Sequence, residues 1–204
     1  AIDTKGQTLY TLESGIEPCY MTIFGEDTIV LSNGIAKALY SLSKSDYLTL
    51  FQYSEISEFH DGVAMVREGN LWGTIDTFGK LLIQPTYYYL SYMGEGLYAA
   101  RSADGSAAAI EANGAMTYRV SSYVGGFNEL RYGLAWHGTA DGNLIFFKKN
   151  GGYFANLKNA ENPTLLSENV VRVVQDGTLR YINLSTGTVL FEQPKSFDLG
   201  DGLT

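Results

Sequence analysis

One cysteine, Cys19, in a chain of 204 residues leaves no intramolecular disulfide framework and no Cys-rich zinc site. Proline is scarce, with four residues, and no apolar run approaches the length of a membrane-spanning helix. The start Ala1-Ile2-Asp3 carries no signal-peptide pattern, and beginning on Ala points to processing or trimming. Positive charge is short: 14 Lys and Arg stand against 22 Asp and Glu, a net charge of −8 that repels phosphate backbones and anionic lipid. Nucleic-acid partners and membrane insertion are therefore not expected, and basic partners stay open. Charge of either sign is sparse at 18%, against 45% hydrophobic residues, which excludes disorder and a coiled coil. A chain of 22.4 kDa buries roughly 70% of its extended surface, enough to fold without a metal or a disulfide.

What the sequence has is glycine, 23 residues of it, set at regular intervals. A marker made of an apolar residue, a variable one, usually an acid, and then Gly, Asn or Asp recurs along the chain. It reads Phe24-Gly25-Glu26-Asp27, Phe59-His60-Asp61-Gly62, Met93-Gly94-Glu95-Gly96, Leu130-Arg131-Tyr132-Gly133, Leu166-Ser167-Glu168-Asn169 and Leu199-Gly200-Asp201-Gly202. The copies are 35, 34, 37, 36 and 33 residues apart, the spacing of a structural repeat.

Two more turn signals keep a constant phase within each unit. Asn33-Gly34, Asp104-Gly105, Asp141-Gly142 and Asp176-Gly177, with Glu68-Gly69 as a weaker copy, follow each marker by one strand length and supply the positive φ of a tight hairpin. Ile75-Asp76-Thr77-Phe78-Gly79, Ile110-Glu111-Ala112-Asn113-Gly114 and Phe147-Lys148-Lys149-Asn150-Gly151 then read as three-residue hairpins with a bulge, as do Ile2 to Gly6 and, one residue longer, Ile182 to Gly187. The intervening runs, Val63 to Val66, Leu134 to Trp136 and Val170 to Val174, suit strands covered on both faces. Ile35 to Tyr40 has a helical look, but it is too short to stand as a helix and occupies a strand slot.

The fold expected is all-β: antiparallel meanders of about 35 residues within a single repeat domain. Its units are 27–61, 62–95, 96–132, 133–168 and 169–201, each three strands followed by some ten residues, such as Tyr87 to Met93, that form a fourth strand or a loop. Residues 202–204 with 1–26 complete a sixth unit across the termini, which gives a closed propeller-like ring of six; an open β-repeat array is the alternative.

Residues 69–87 hold Trp72-Gly73, Ile75-Asp76, Gly79-Lys80, the strand Leu81 to Gln84, Pro85 and Tyr87. An apolar-x-acid-Gly-Leu-Ala segment follows as Met93 to Ala100 and also stands at Phe59 to Ala64. This combination resembles the bacterial WG-repeat family, specifically over residues 59–101 and weakly over the rest. Equivalent slots hold Ala107-Ala108 and Leu144-Ile145, so the chain reads as a divergent member. The resemblance implies repeats used as binding or scaffolding surfaces, often on bacterial envelope or secreted proteins, with no assigned reaction. Physically, an indole lies flat across a strand when its neighbour has no side chain, which is the role expected of Gly73.

Chemistry is thin. His60 and His137 have no metal-ligand spacing and are expected as surface or hydrogen-bonded turn residues. No nucleophile elbow, phosphate-binding loop or cofactor motif is present in the sequence, and Asp198 to Gly202 lacks the ligand series of a calcium loop. Equivalent positions hold Glu26, Asp61, Glu95, Glu168 and Asp201, which a closed ring would gather into an acidic rim able to hold a cation or a basic peptide; the plainer role is service to their own turns. Aromatics supply the other candidate site: Trp72 with Tyr87, Tyr88 and Tyr92, residues that stack on sugars or grip peptide side chains, or else pack between blades. The function expected is a non-catalytic module binding a protein or glycan. A carbohydrate- or peptide-acting hydrolase or lyase with carboxylates at the ring centre is the alternative.

Overall fold

Turn chemistry decides where the strands begin. The computed structural model describes residues 16–24, 27–120 and 127–194. Asp61 and Gly62 both take positive φ, 51° and 78°, as do Glu95 with Gly96, Tyr132 with Gly133 and Asp176 with Gly177. Paired positive φ is the signature of the two-residue hairpin turn whose twist matches that of its flanking strands. The second turn type is as expected from its sequence. Asp76 Oδ1 accepts bonds from the N–H groups of Phe78 and Lys80, both at 2.9 Å, while Gly79 supplies a φ of 80°.

Between these turns lie five antiparallel sheets, each a simple meander, and the described residues contain no helix. The first holds β1 (Glu17–Phe24), β2 (Thr28–Ser32), β3 (Lys37–Ser41) and β4 (Asp46–Tyr47). The second holds β5 (Glu55–His60), β6 (Val63–Glu68), β7 (Leu71–Asp76) and β8 (Leu81–Tyr87). The third is β9 (Tyr89–Gly94), β10 (Leu97–Arg101), β11 (Ala107–Glu111) and β12 (Met116–Val120). The fourth has three strands, β13 (Leu134–Gly138), β14 (Leu144–Lys148) and β15 (Tyr153–Leu157). The fifth is β16 (Ala160–Leu165), β17 (Val170–Gln175), β18 (Thr178–Asn183) and β19 (Val189–Pro194).

The helical-looking stretch 35–40 is strand from Lys37 on. In the trailing segment from Tyr87 to Met93, Tyr87 ends β8, and from Tyr89 on the chain is strand and joins the sheet that follows. Four markers, at 24–27, 59–62, 93–96 and 166–169, accordingly fall inside sheets, between first and second strands, so these sheets run out of phase with units counted from marker to marker; the marker at 130–133 precedes β13, and the one at 199–202 lies outside the described residues. The sixth unit expected from residues 202–204 and 1–26 rests largely on residues outside those described, and within it Glu17–Phe24 pairs with β2.

Cα proximity groups the chain into two compact units. One takes the described residues up to Ser91 with Ala100–Ala103 and Glu111–Ala115; the other takes Tyr92–Ala99, Asp104–Ile110 and the described residues from Met116 onward. In the first, Val30 and Leu39 pack with Ile56, Phe59, Ala64, Val66 and Ile75, while Ile29, Leu31 and Tyr40 fill the opposite face of the first sheet. Both faces of β2 and β3 are thereby covered, as the unbroken apolar runs require. In the second, Leu134, Leu144, Phe146 and Leu157 meet Leu165, Val171, Val173 and Ile182, and a further cluster joins Met93, Leu97 and Ala109 to Leu130, Ala135 and Phe147. Each such fully buried Val, Leu, Ile or Phe contributes about 1.5–3 kcal/mol of transfer free energy.

Candidate functional site

Trp72 and Gly73 lie on β7, between β6 and β8. Gly73 has an ordinary φ, and its need for a bare Cα is steric. A Cβ built there would strike the Ile83 carbonyl oxygen and stand 2.8 Å from Pro85 N and 2.9 Å from the Gln84 carbonyl carbon. The β7–β8 register skips at this point, Trp72 facing Tyr87 while Thr74 faces Ile83. Pro85, which has no N–H to give the ladder, sits in the bulge. The glycine of the pair therefore makes room for the bulged backbone of β8, which corrects the sequence-based expectation that it makes room for the indole.

Trp72 is one member of a row that crosses all four strands of the second sheet. Glu55 pairs with Arg67, Arg67 with Trp72, and Trp72 with Tyr87. Residues directly opposite across strands share a face and touch. Arg67 Nη1 donates to Glu55 Oε1 at 3.1 Å, and its guanidinium carbon lies 5.7 Å from the indole centroid, a cation–π distance. Its Nε is buried without a hydrogen-bond partner among the described residues.

From Tyr87 the chain passes directly to Tyr88 and Tyr89, which are 59% and 45% exposed. Tyr88 N donates to the Arg101 carbonyl at 3.0 Å, and the Arg101 guanidinium stands 5.8 Å from the Tyr89 ring. The structure thus pairs Trp72 with Tyr87 across β7 and β8, and the exposed Tyr88 and Tyr89 follow directly in the chain. Tyr92 is engaged in its own hairpin, its ring edge-on to the buried Tyr98 at 5.3 Å and its hydroxyl accepting from Gly96 N at 3.4 Å.

Sequence reasoning missed the two arginines. The signal was present: Arg67 and Arg101 each stand five residues beyond the glycine of a marker, Gly62 and Gly96, and each is layered with an aromatic ring.

The marker acids behave differently. Asp61 and Glu95 occupy the first central position of their turns, a slot that Tyr132 fills in the turn before β13 with the same backbone, φ 53°. The slot demands a residue that tolerates positive φ, not a carboxylate. Glu95 Oε2 lies 4.0 Å from Lys149 Nζ, and Glu168 is exposed. Glu26 and Asp201 lie outside the described residues. No three His, Cys, Asp or Glu side chains gather as a metal site among the described residues.

His60 ends β5 and is exposed. His137 differs from expectation: it is a strand residue only 4% exposed. Its Nδ1 lies 3.1 Å from the Gly138 carbonyl and its Nε2 3.3 Å from the Tyr118 hydroxyl, with the rings of Phe127 and Phe147 at its sides. A Tyr118 ring stacked on Phe147 at 4.1 Å completes the enclosure. Burial pulls the imidazole below its ordinary 6.5 despite the Gly138 contact, and burial raises the Tyr118 phenol above 10.0.

Residues 49–72 and 72–104 match the model of the WG containing repeat. No curated protein matches the sequence. Solved structures match in fold. The crystal structure of the eukaryotic initiation factor superposes with a TM-score of 0.56 at 12% identity, over 79% of this chain and 50% of that one. BamB from Moraxella catarrhalis gives 0.41 at 12% identity over 82% of this chain, and the WD40 β-propeller domain of Doa1 gives 0.40 at 12% over 83%. The chain spans 61% of the BamB structure and 65% of the Doa1 domain.

Proposed function

We propose that this protein, which belongs to the WG-repeat family through residues 49–104, is a non-catalytic interaction module that grips a protein partner through the surface formed by Arg67, Trp72, Tyr87, Tyr88, Tyr89 and Arg101. The observation that carries the reading is two arginine–aromatic pairs, Arg67 with Trp72 and Arg101 with Tyr89, linked through the cross-strand partner Tyr87 and the exposed Tyr88 that follows it in the chain. Trp, Tyr and Arg are the residues in which binding energy concentrates at protein interfaces. Trp and Tyr bring large contact area at low entropic cost, since their rings turn about only two bonds. Here cross-strand pairing holds Trp72 and Tyr87 in advance, so little ordering remains to be done on association.

A peptide library displayed on phage and panned against the full chain tests this. Enriched sequences are expected to bind the unaltered protein and to lose at least tenfold in affinity against a Tyr88→Ala, Tyr89→Ala, Arg101→Ala triple variant of unchanged thermal midpoint. Peptides that bind the variant equally well, or panning that enriches no sequence family, would refute the proposal.

A further inference from the structure

A second surface lies in the other compact unit, at Trp136 on β13. The sequence presents this residue only as part of a buried strand, but its side chain is half-buried and lines an open groove of about 190 Å³. The groove is built by two departures from regular pairing. On one side, residues 128–131 run beside β13 and are tied to it where Asn128 N donates to the Trp136 carbonyl at 3.2 Å. On the other, β16 bulges at Asn162, φ 53°, and Pro163, so its register with β17 skips from Glu161 to Thr164. Pro163 and Thr164 form that wall. The floor is firm, because Trp136 packs against the cluster holding Leu165 and Val171.

The polar groups converging here are largely unspent. Among the described residues the Trp136 indole N–H and the Glu129 carboxylate have no hydrogen-bond or ion-pair partner, and Arg131 makes no ion pair, its guanidinium lying 5.5 Å from its neighbour Tyr132's ring. Thr164 Oγ1 accepts from Arg172 Nη2 at 3.2 Å, which leaves the hydroxyl proton free to be donated.

Charge narrows the ligand. A cation would meet Arg131, and an anion would meet Glu129, so neither is favoured over the other. A neutral molecule rich in both donors and acceptors satisfies the carboxylate, the guanidinium, the hydroxyl and the indole N–H together. An apolar face on the same molecule would cover the indole ring. The small volume admits one six-membered ring with its substituents and not a drug-sized ligand, and the open side lets a chain continue out of it.

We propose that the groove beside Trp136 is a carbohydrate subsite that takes one pyranose ring of a neutral oligosaccharide, with Trp136 as the stacking platform and Glu129, Arg131 and Thr164 bonding the hydroxyls. The site shares no residue with the aromatic surface around Trp72, and the proposal does not depend on that surface.

The chain has two tryptophans, so Trp72→Phe leaves Trp136 as the sole indole reporter. Its fluorescence is titrated with cello-, malto-, manno- and chito-oligosaccharides. At least one series is expected to give a saturable change with half-saturation on the order of 1 mM. A Glu129→Gln, Arg131→Gln double variant, altered only at exposed positions, is expected to bind at least tenfold more weakly at an unchanged thermal midpoint. Saturation-transfer NMR on the unaltered chain supplies the same reading should Trp72→Phe fold poorly. Absence of saturable binding by all four series, or equal affinity in the double variant, overturns the proposal. So does saturation by glycylglycine where the sugars fail, which would make the groove a receptor for zwitterionic peptide ends.

Discussion

Replacing Gly73 by Ala sets two effects against each other. Gly73 has an ordinary φ, and alanine at such a position narrows the unfolded ensemble, a gain of about 0.4–1 kcal/mol. Against this, the new methyl would lie on the Ile83 carbonyl oxygen, 2.8 Å from Pro85 N and 2.9 Å from the Gln84 carbonyl carbon, where an ordinary contact needs at least 3.4 Å. All three obstacles are backbone and none can swing aside, so β8 must retreat by half an ångström or more. That withdrawal loosens the pairings of Trp72 with Tyr87 and Thr74 with Ile83, each ladder bond being worth about 1 kcal/mol net. It also strains a packed region that holds Ile75 fully buried, adding about 1–3 kcal/mol of overpacking. The net expectation is a loss of about 2–3 kcal/mol, which for a chain of this size lowers the thermal midpoint by roughly 5–10 °C. Urea unfolding followed by tryptophan fluorescence measures it, with amide exchange at Thr74 and Ile83 reporting whether the damage starts at the bulge. A midpoint equal to or above that of the unaltered chain would show that β8 does not cover Gly73 as described.

Other perturbations separate the remaining physical claims. His137 has a depressed folded pKa because it is buried, so below about pH 6.5 the unfolded chain takes up more protons than the folded one. Stability is therefore full above that pH and declines as the pH falls toward the folded value. Urea midpoints from pH 8 to 5 should show this slope and lose part of it in His137→Gln; identical slopes would place the imidazole in contact with water. Gly62 and Gly151 have nearly the same φ, 78° and 81°, but a Cβ at Gly62 meets nothing within 4 Å while one at Gly151 strikes the Thr117 carbonyl oxygen. Gly62→Ala is expected to cost about 1 kcal/mol, the conformational penalty alone, and Gly151→Ala at least twice that; equal thermal shifts would refute the steric part. The panning and sugar titrations described above test the two surfaces independently.

Strands were legible where turn residues bracket them. Asp61-Gly62 and Asp176-Gly177 announce positive φ in the sequence itself, and the structure uses both residues of each pair in that way. The border between the second and third sheets was not legible, because it carries no turn signature. Only Tyr88 separates β8 from β9, and nothing in its local sequence says that the following strand pairs forward. The aromatic surface was readable in Trp72, Tyr87 and Tyr88, since aromatics at strand ends are conspicuous. Arg67 and Arg101 became visible as partners only once register placed them beside those rings. His137 and Trp136 were hidden for one reason. Their surroundings come from Tyr118 and Phe147 on other strands, and from the bulge at Pro163 in another sheet, and no short window of sequence contains them.

The phase offset between markers and sheets bears on how such a chain can grow. A cassette cut from Gly62 to Glu95 carries three strands that finish one sheet and a single strand that opens another. Copying it in tandem adds one sheet, and the splices at Asp61-Gly62 and Glu95-Gly96 fall at two-residue hairpins whose geometry the cassette already encodes. Cutting at the sheet borders would instead place the splice at Tyr88, where one residue must turn the chain from β8 into β9 and serve the exposed aromatic surface as well. Duplication at the markers leaves that surface whole, so new copies can diverge in their side chains without first rebuilding a joint.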